Sequence, residues 1–477
     1  MKSIKKNYIY NLIYQCFTLV APLVTTPYVS RVLGAERIGE YSYAYSLVYY
    51  FTLAAILGTA TYGEREISFY QDDRRRRSER FWDIYFLRVI TSTICFITYC
   101  AFIHVVYPAE KIYLIVSLNI IAVGLDFVWL FQGMEEFGKI TLRDGIVKFI
   151  SICCIFLFVK KETDILIYTL ILSLIPVISA LSLYPYLKKY VNKPDINNIR
   201  PFNDFKNIIE LFIPTVAISI YAMLDKTMIG IFTTTKIENG YYEQAMKVSK
   251  TALTIVTSLG TVLIPRISFY FQKNEKKLIE DYMYKSYRFV WFLGIPICFG
   301  LIGISKNLVP WFYGSGFEKV EYLLIVLSFL VIIIGISNVT GLQYLVPTKR
   351  QNYLTKSVVA GSIVNVVLNS IFIPRYLSIG AAIASVIAEF TVSATQLFFV
   401  RKELNVKYIL STSAHYFLAG SIMLIVLILA GFELTPSFIN TFILIIAGSF
   451  IYFFVLLLIK DSFSIELLKS AIARIKR

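Results

Sequence analysis

Pro27-Tyr28-Val29-Ser30-Arg31-Val32-Leu33-Gly34-Ala35-Glu36-Arg37-Ile38-Gly39-Glu40-Tyr41 lies between two apolar runs, one reaching back to Tyr8 and one forward to Ala60. Each run is about 20 residues, the length a helix needs to cross the hydrocarbon of a bilayer. The polar corner Gly34 to Gly39 therefore sits at one membrane face. The charged segment that follows, Tyr62-Gly63-Glu64-Arg65-Glu66 through Arg80, sits at the other. This hairpin sets the side on which every later connection falls.

Composition carries the same reading across the chain. Of 477 residues, 57% are hydrophobic and only 16% charged, with mean hydropathy +0.66. Soluble domains carry roughly 25% charged residues, so this is a polytopic, all-α membrane protein. The net charge of +16 does not mark a nucleic-acid binder, because the basic residues fall in short clusters between apolar runs. The cysteines Cys16, Cys95, Cys100, Cys153, Cys154 and Cys298 all lie inside such runs without Cys-x-x-Cys spacing, so neither disulfides nor a metal site is expected. The first run is too long for a cleaved leader and is expected to be retained. No nucleotide-binding or hydrolase motif is present, so the chain is not read as an enzyme and no catalytic residue is assigned.

Apolar windows predict fourteen spans, at 8–30, 38–60, 81–106, 112–133, 143–160, 163–187, 208–232, 241–268, 287–308, 320–345, 355–374, 378–400, 411–432 and 437–459. The segments on the N-terminal side hold 32 Lys and Arg against 9 on the other. The positive-inside rule thus predicts both termini in the cytoplasm. Arg74-Arg75-Arg76-Arg77 reads first as an orienting cluster near anionic lipid, and the segment from Lys469 to Arg477 as an interfacial helix.

Six cations fall within spans: Arg88, Lys148, Lys226, Lys247, Lys250 and Arg266. A cation at the centre of a lipid-facing helix costs roughly 2.5–3.5 kcal/mol, so most are expected to face a wet interior or acidic partners. Arg266 is the best case for snorkelling to the interface. Asp126, Asp225, Glu243 and Glu389 are the partners in range, and Asp225 is expected to pair with Lys247 or Lys250. Glu243, Lys247 and Lys250 share one helix face. Asn11, Gln15 and Thr18 form a polar stripe on the first span, and Tyr221 belongs to one on the seventh. Gly39-x-Tyr41-x-x-Ala44 recurs as Gly240-x-Tyr242-x-x-Ala245, which points to parallel repeats six spans apart.

With Asn7-Tyr8-Ile9-Tyr10-Asn11 before it, the opening stretch, followed by Tyr62-Gly63-Glu64-Arg65-Glu66, resembles the N-terminal signature of Wzx-type oligosaccharide flippases. Their superfamily also holds lipid II flippases and MATE multidrug exporters. The resemblance implies two pseudo-symmetric six-helix bundles around a central cavity, here 1–200 and 201–407, two further helices at 408–459 and a basic cytoplasmic tail at 460–477. It implies a cargo of polyprenyl-pyrophosphate-linked oligosaccharide crossing a bacterial cytoplasmic membrane for O-antigen, capsule or exopolysaccharide synthesis, and polysaccharide polymerase or assembly proteins as partners. The anionic linker suits Arg88, Lys148, Lys226, Lys247 and Lys250, while Asp126, Asp225 and Glu389 are the carboxylates for coupling or gating. No cofactor is expected beyond H+ or Na+ as coupling ion. The alternatives are a lipid II flippase, a MATE-type cation-coupled exporter and, from another class, a membrane glycosyltransferase or polymerase, for which the connections are too short.

Overall fold

A computed structural model describes residues 4–258, 260–466 and 469, with side chains from residue 21 onward except at 211, 213–215, 217, 218, 220–222, 261 and 262. All regular structure among the described residues is helical. Nine stretches of them are long and apolar enough to cross a membrane. The chain packs as two compact units, Met1–Gly240 and Tyr241–Arg477.

Unit 1 begins with α1 (Ile4–Ile56), which is not one rod. Gly34 takes φ 73° and ψ 171° and breaks it into two arms. The corner is thus a single residue rather than the whole of Gly34 to Gly39. Only Gly34 needs the left-handed φ that glycine adopts without a Cβ clash, and Ala35-Glu36-Arg37 are good helix formers that resume the helix at once. α2 (Thr59–Phe69) follows through Gly58, again at positive φ, and α3 (Arg74–Val106) is capped by the Asp73 carboxylate accepting from the Arg76 amide.

The span expected at 112–133 is three short helices, α4 (Lys111–Val116), α5 (Leu118–Leu125) and α6 (Val128–Gly133). Its second break falls at Asp126-Phe127, where Asp126 is extended and its Oδ1 accepts from the Val128 amide. α7 (Phe137–Phe158), α8 (Ile165–Leu181), α9 (Tyr184–Tyr190) and α10 (Phe205–Phe232) complete the unit. α10 packs on α1.

Small residues set the packing. A Cβ at Gly63 would lie 2.5 Å from the Trp129 ring, and one at Gly133 would lie 2.7 Å from Ile67 Cβ. α2 and α6 therefore lie backbone to side chain over a core of Tyr62, Ile67, Phe81, Phe127, Trp129 and Phe131. Close approach of this kind is what holds helices together where lipid removes the hydrophobic drive between them.

Unit 2 contains α11 (Ile237–Thr257), whose first turn belongs to unit 1, then α12 (Gly260–Gln272), α13 (Lys276–Tyr313), α14 (Lys319–Leu327) and α15 (Phe329–Ser337). The latter runs into a π-helix at Asn338–Leu345. α16 (Gln351–Val400) is broken at Leu377, with φ 56° and ψ −134°. α17 (Val406–Ser411), α18 (Ala414–Glu433) and α19 (Phe438–Leu458) close the chain, with α18 and α19 packed on α13.

Within each unit the connections sort by charge. In unit 1, Arg80 bonds Asp204 at 2.6 Å, the Trp82 indole N–H donates to the Asn192 carbonyl and Gln71 reaches the Gly133 carbonyl, which gathers 63–80, 133 and 192–204 at one end. Arg37 lies 3.3 Å from Glu162, and the Tyr43 ring meets Tyr107 and the Lys236 ammonium, which gathers the sparsely charged corners at another. In unit 2, Arg350 with Glu403, and Arg288 with Asp461, mark the basic end. Trp311 with Phe438, and Asn307 with the Gly431 carbonyl, mark the other.

Candidate functional site

The deepest charge in unit 1 is Arg88, whose side chain is 3% exposed. Its Nη1 lies 3.6 Å from Asp126 Oδ2, and Asp126 sits at the α5–α6 break. Among the described residues Nε and Nη1 have no hydrogen-bond acceptor, and the Asp126 carboxylate is the counter-charge that faces them. Tyr85, one turn earlier on α3, shares a hydroxyl contact with Tyr184, which donates to the Leu125 carbonyl freed by the same break. A buried cation, a carboxylate and two phenols thus converge where α4 to α6 lose their continuity. Sequence reasoning named Arg88 and Asp126 but missed the tyrosines, because nothing in the local pattern marks the break.

Lys148 is half-buried on α7, one turn after Asp144. Asp144 belongs to a polar cluster that sequence reasoning passed over: Arg143 Nη2 bonds it at 2.6 Å, Ser179 donates to it, and Arg143 also reaches the Ser179 carbonyl. Its signal was the Arg-Asp pair at the edge of a predicted span.

Asp225 and Lys226 are both buried on α10, 7% and 8% exposed. Asn239, fully buried, donates to the Lys226 carbonyl at 2.6 Å. Lys247 is half-buried and Lys250 exposed on α11, and Glu389 is half-buried on α16, all in unit 2. Asp225 therefore belongs to one compact unit and Lys247 and Lys250 to the other. The Asn11, Gln15, Thr18 and Tyr221 side chains lie outside the described ones.

The Arg74 to Arg77 cluster is built into the scaffold. Arg77 is buried and its guanidinium donates to the Tyr190, Tyr70 and Gln71 carbonyls. Arg74 donates to the Lys188 carbonyl and Arg75 to Glu79. At the basic end of unit 2, burial alone would raise the Glu403 pKa, but hydrogen bonds from Arg350 and Tyr344 hold it below the usual carboxylate range. Burial of Asp461 is likewise outweighed by hydrogen bonds from the Ser464 amide, Arg288 and the Ser464 hydroxyl, which keep its carboxyl low. His415 and Tyr416 meet the same carboxylate. The π-helix places the buried Gln343 against the half-buried Asn338, and Gln396 bonds Ser357 nearby, both buried.

An apolar groove of 530 Å³ runs along unit 2 between α13, α18 and α19, lined by Phe292, Pro296, Gly300, Leu427, Gly448 and Tyr452 among others. A smaller cleft of 390 Å³ opens at the basic end around Lys276, Glu280, Tyr344, Arg350 and Glu403.

Helices of membrane length, interior charges at a helix break, and an apolar groove define a multi-span membrane protein. The fold is similar to that of a lipid II flippase, MurJ, in an inward closed conformation: TM-score 0.74 at 18% identity, over 97% of this chain and 99% of that one. It is similar also to an inward-facing multidrug resistance MATE transporter, with TM-score 0.62 at 13% identity over 83% and 96%.

The chain belongs to the polysaccharide biosynthesis protein family, whose model matches residues 4–271. It is 25% identical over 410 residues to a protein named as an O-antigen transporter from Escherichia coli (strain K12), covering 84% of this chain and 97% of the relative. Over 229 residues it is 26% identical to a protein named as a low-salt glycan biosynthesis flippase, Agl15, from Haloferax volcanii, covering 48% and 47%.

Proposed function

We propose that this protein is a flippase for polyprenyl-pyrophosphate-linked oligosaccharide repeat units, moving them across a bacterial cytoplasmic membrane for cell-surface polysaccharide synthesis. The observation that carries the reading is the match to the O-antigen transporter along nearly the whole of that relative. The chemistry agrees with it. Interior cations suit a pyrophosphate, and the apolar groove of unit 2 suits a lipid tail.

In this reading fourteen spans leave both termini in the cytoplasm, with bundles at 1–200 and 201–407 and an added helix pair at 408–459. Lys247 and Lys250, with Lys148 and Lys226 in support, meet the anionic linker. Arg88 contributes through Asp126, since the two balance each other inside unit 1. Asp126, Asp225 and Glu389 are the groups for H+ or Na+ coupling. A polysaccharide polymerase takes the product.

The test is deletion of the gene, with lipid-linked oligosaccharides profiled in sealed membrane vesicles. Intermediates should accumulate on the cytoplasmic leaflet and clear when the wild-type chain is restored. Lys247→Ala with Lys250→Ala should fail to clear them at normal protein level. Accumulation of lipid II instead would replace this reading with that of a lipid II flippase.

A further inference from the structure

Beyond α19 the chain doubles back. Lys460 takes φ 60°, and the Lys460 and Asp461 amides donate to the Leu457 and Leu456 carbonyls behind them. Residues 462–466 then form a further short helix. A lysine stays in the left-handed region only where its surroundings hold it there. The tie is the carboxylate that follows.

The two oxygens of Asp461 divide their partners. Oδ2 accepts from the Ser464 amide at 2.8 Å and the Ser464 hydroxyl at 2.9 Å, which caps the short helix from within its own segment. Oδ1 faces the rest of unit 2 and accepts from Arg288 Nη2 at 2.7 Å, His415 Nε2 at 3.0 Å and the Tyr416 hydroxyl at 3.2 Å. Arg288 Nε donates to the Tyr416 phenol oxygen at 3.0 Å, which fixes that ring in turn. A guanidinium, an imidazole and a phenol brought from α13 and α18 onto one oxygen exceed what a helix cap asks for, and they are a donor set that suits phosphate. The Asp461 side chain is 1% exposed, while Arg288 and His415 are each 28% exposed.

This cluster stands at one end of the apolar groove. Phe292, one turn after Arg288 on α13, lines the groove, and its carbonyl accepts from the hydroxyl of Tyr452, which lines it too. Phe463, two residues past Asp461, meets the Phe292 ring edge-on at 5.2 Å, and the Arg288 guanidinium lies 5.6 Å from the Phe463 ring. From Phe292 to Ile304 the α13 wall of the groove runs about 18 Å, room for several isoprene units. A hydrocarbon chain lying there brings an anionic end group among Arg288, His415 and Tyr416, the place that Asp461 and Phe463 occupy.

We propose that Arg288, His415 and Tyr416 form a phosphate station for a polyprenyl phosphate whose chain lies in the groove, and that segment 460–466 is its built-in plug. Asp461 holds the place of the phosphate and Phe463 closes the end of the groove. The proposal rests on the flippase reading above for its cargo and adds a step to it: the plug leaves before the lipid-linked cargo settles. The plug competes through its tether, which keeps its effective concentration high. The cargo competes through the greater charge of a pyrophosphate.

Ser464→Cys, in the full chain with its six native cysteines replaced, reports the plug, because Ser464 is fully buried. In detergent, farnesyl pyrophosphate, a short soluble polyprenyl pyrophosphate, should speed maleimide labelling of that thiol about fivefold or more. Inorganic pyrophosphate, farnesol and phosphatidylglycerol should not. Equal speeding by inorganic pyrophosphate makes this a site for free phosphate, and equal speeding by phosphatidylglycerol or farnesol makes it a site for ordinary lipid. Each of these overturns the proposal, as does a thiol indifferent to the farnesyl probe.

Calorimetric binding of the same probe to the otherwise unaltered chain separates a plug from a structural tie. Asp461→Asn removes the competitor and should tighten binding about tenfold, the change expected of a plug closed about nine-tenths of the time. Phe463→Ala frees the groove end while leaving the carboxylate in place, so it should tighten binding too and keeps the test standing if Asp461→Asn does not fold. Arg288→Gln should abolish binding. A cluster that only anchors the segment leaves the affinity unchanged in all three variants, and that result overturns the proposal. Tightened binding in a protein that exports no lipid-linked glycan upholds the station and overturns the flippase reading.

Discussion

Removing the Asp126 charge should damage this protein far more than removing its partner's. Arg88 is 3% exposed and Asp126 29% exposed, at 3.6 Å. Asp126→Asn keeps the oxygen that accepts from the Val128 amide but leaves a guanidinium buried without a counter-charge, a loss of about 3–5 kcal/mol. For a unit of this size that is about 10 °C or more in Tm. Arg88→Met keeps the buried stem and leaves a carboxylate that already reaches solvent, so its cost should be about 1 kcal/mol. The double variant should recover most of the loss, since two apolar or neutral groups need no balance. Thermal unfolding of purified protein in detergent, followed by fluorescence size-exclusion, gives all four values. If Arg88→Met is as damaging as Asp126→Asn, or the double variant is no better than Asp126→Asn, the pair is not what balances Arg88. Export by Arg88→Met at normal Tm then separates the two roles: a normal rate assigns Arg88 to the scaffold alone, and a fall of about tenfold assigns it to the transport path.

Gly63→Ala and Gly133→Ala should each lower Tm through clashes with Trp129 and Ile67, at about 1–3 kcal/mol apiece, and an unchanged melt would show that α2 and α6 can slide apart freely. The Asp461 carboxyl is held below its usual range, so its contribution is complete at neutral pH and is lost as pH falls through its folded value, below about pH 4. Asp461→Asn should therefore lower Tm at pH 7 and flatten the melting curve's acid limb, which a Tm series from pH 7 to pH 3 checks. Leu377 holds φ 56°, a region glycine enters without strain, and Leu377→Gly should raise Tm by about 1 kcal/mol equivalent. A cysteine at position 75 should stay unlabelled by impermeant reagent added to intact cells, and labelling there would reverse the assigned topology.

The helices were legible because they rest on the longest-range regularity a chain can carry, apolar length. Details that depend on a neighbour were not. Gly39 reads in isolation as turn punctuation, yet it lies inside a helix and is small because the Lys236 carbonyl occupies the space of a Cβ. The break at Asp126 is not marked in Gly124-Leu125-Asp126-Phe127, since Arg88, which faces its carboxylate, and Tyr184, which takes the freed Leu125 carbonyl, lie far along the chain. The π-helix at Asn338–Leu345 is concealed for the same reason: its residues are ordinary helix or loop formers. Arg74 to Arg77 were legible as a cluster, but not the carbonyls of Tyr190 and Lys188 that Arg77 and Arg74 hold.

Gly34 and Leu377 each separate two membrane-length arms with one residue, and this constrains how the protein is made. A ribosome delivers the arms in succession, but a single-residue corner carries no tether long enough to let the first arm cross and wait while the second is translated. On the proposed topology each pair enters the bilayer as a preformed hairpin, its polar corner drawn across by the combined apolar surface of both arms. The same corners leave nothing for a protease to cut and no place for an epitope or fluorescent insert. Reporters for biogenesis belong instead in the longer connections, such as the one between α9 and α10.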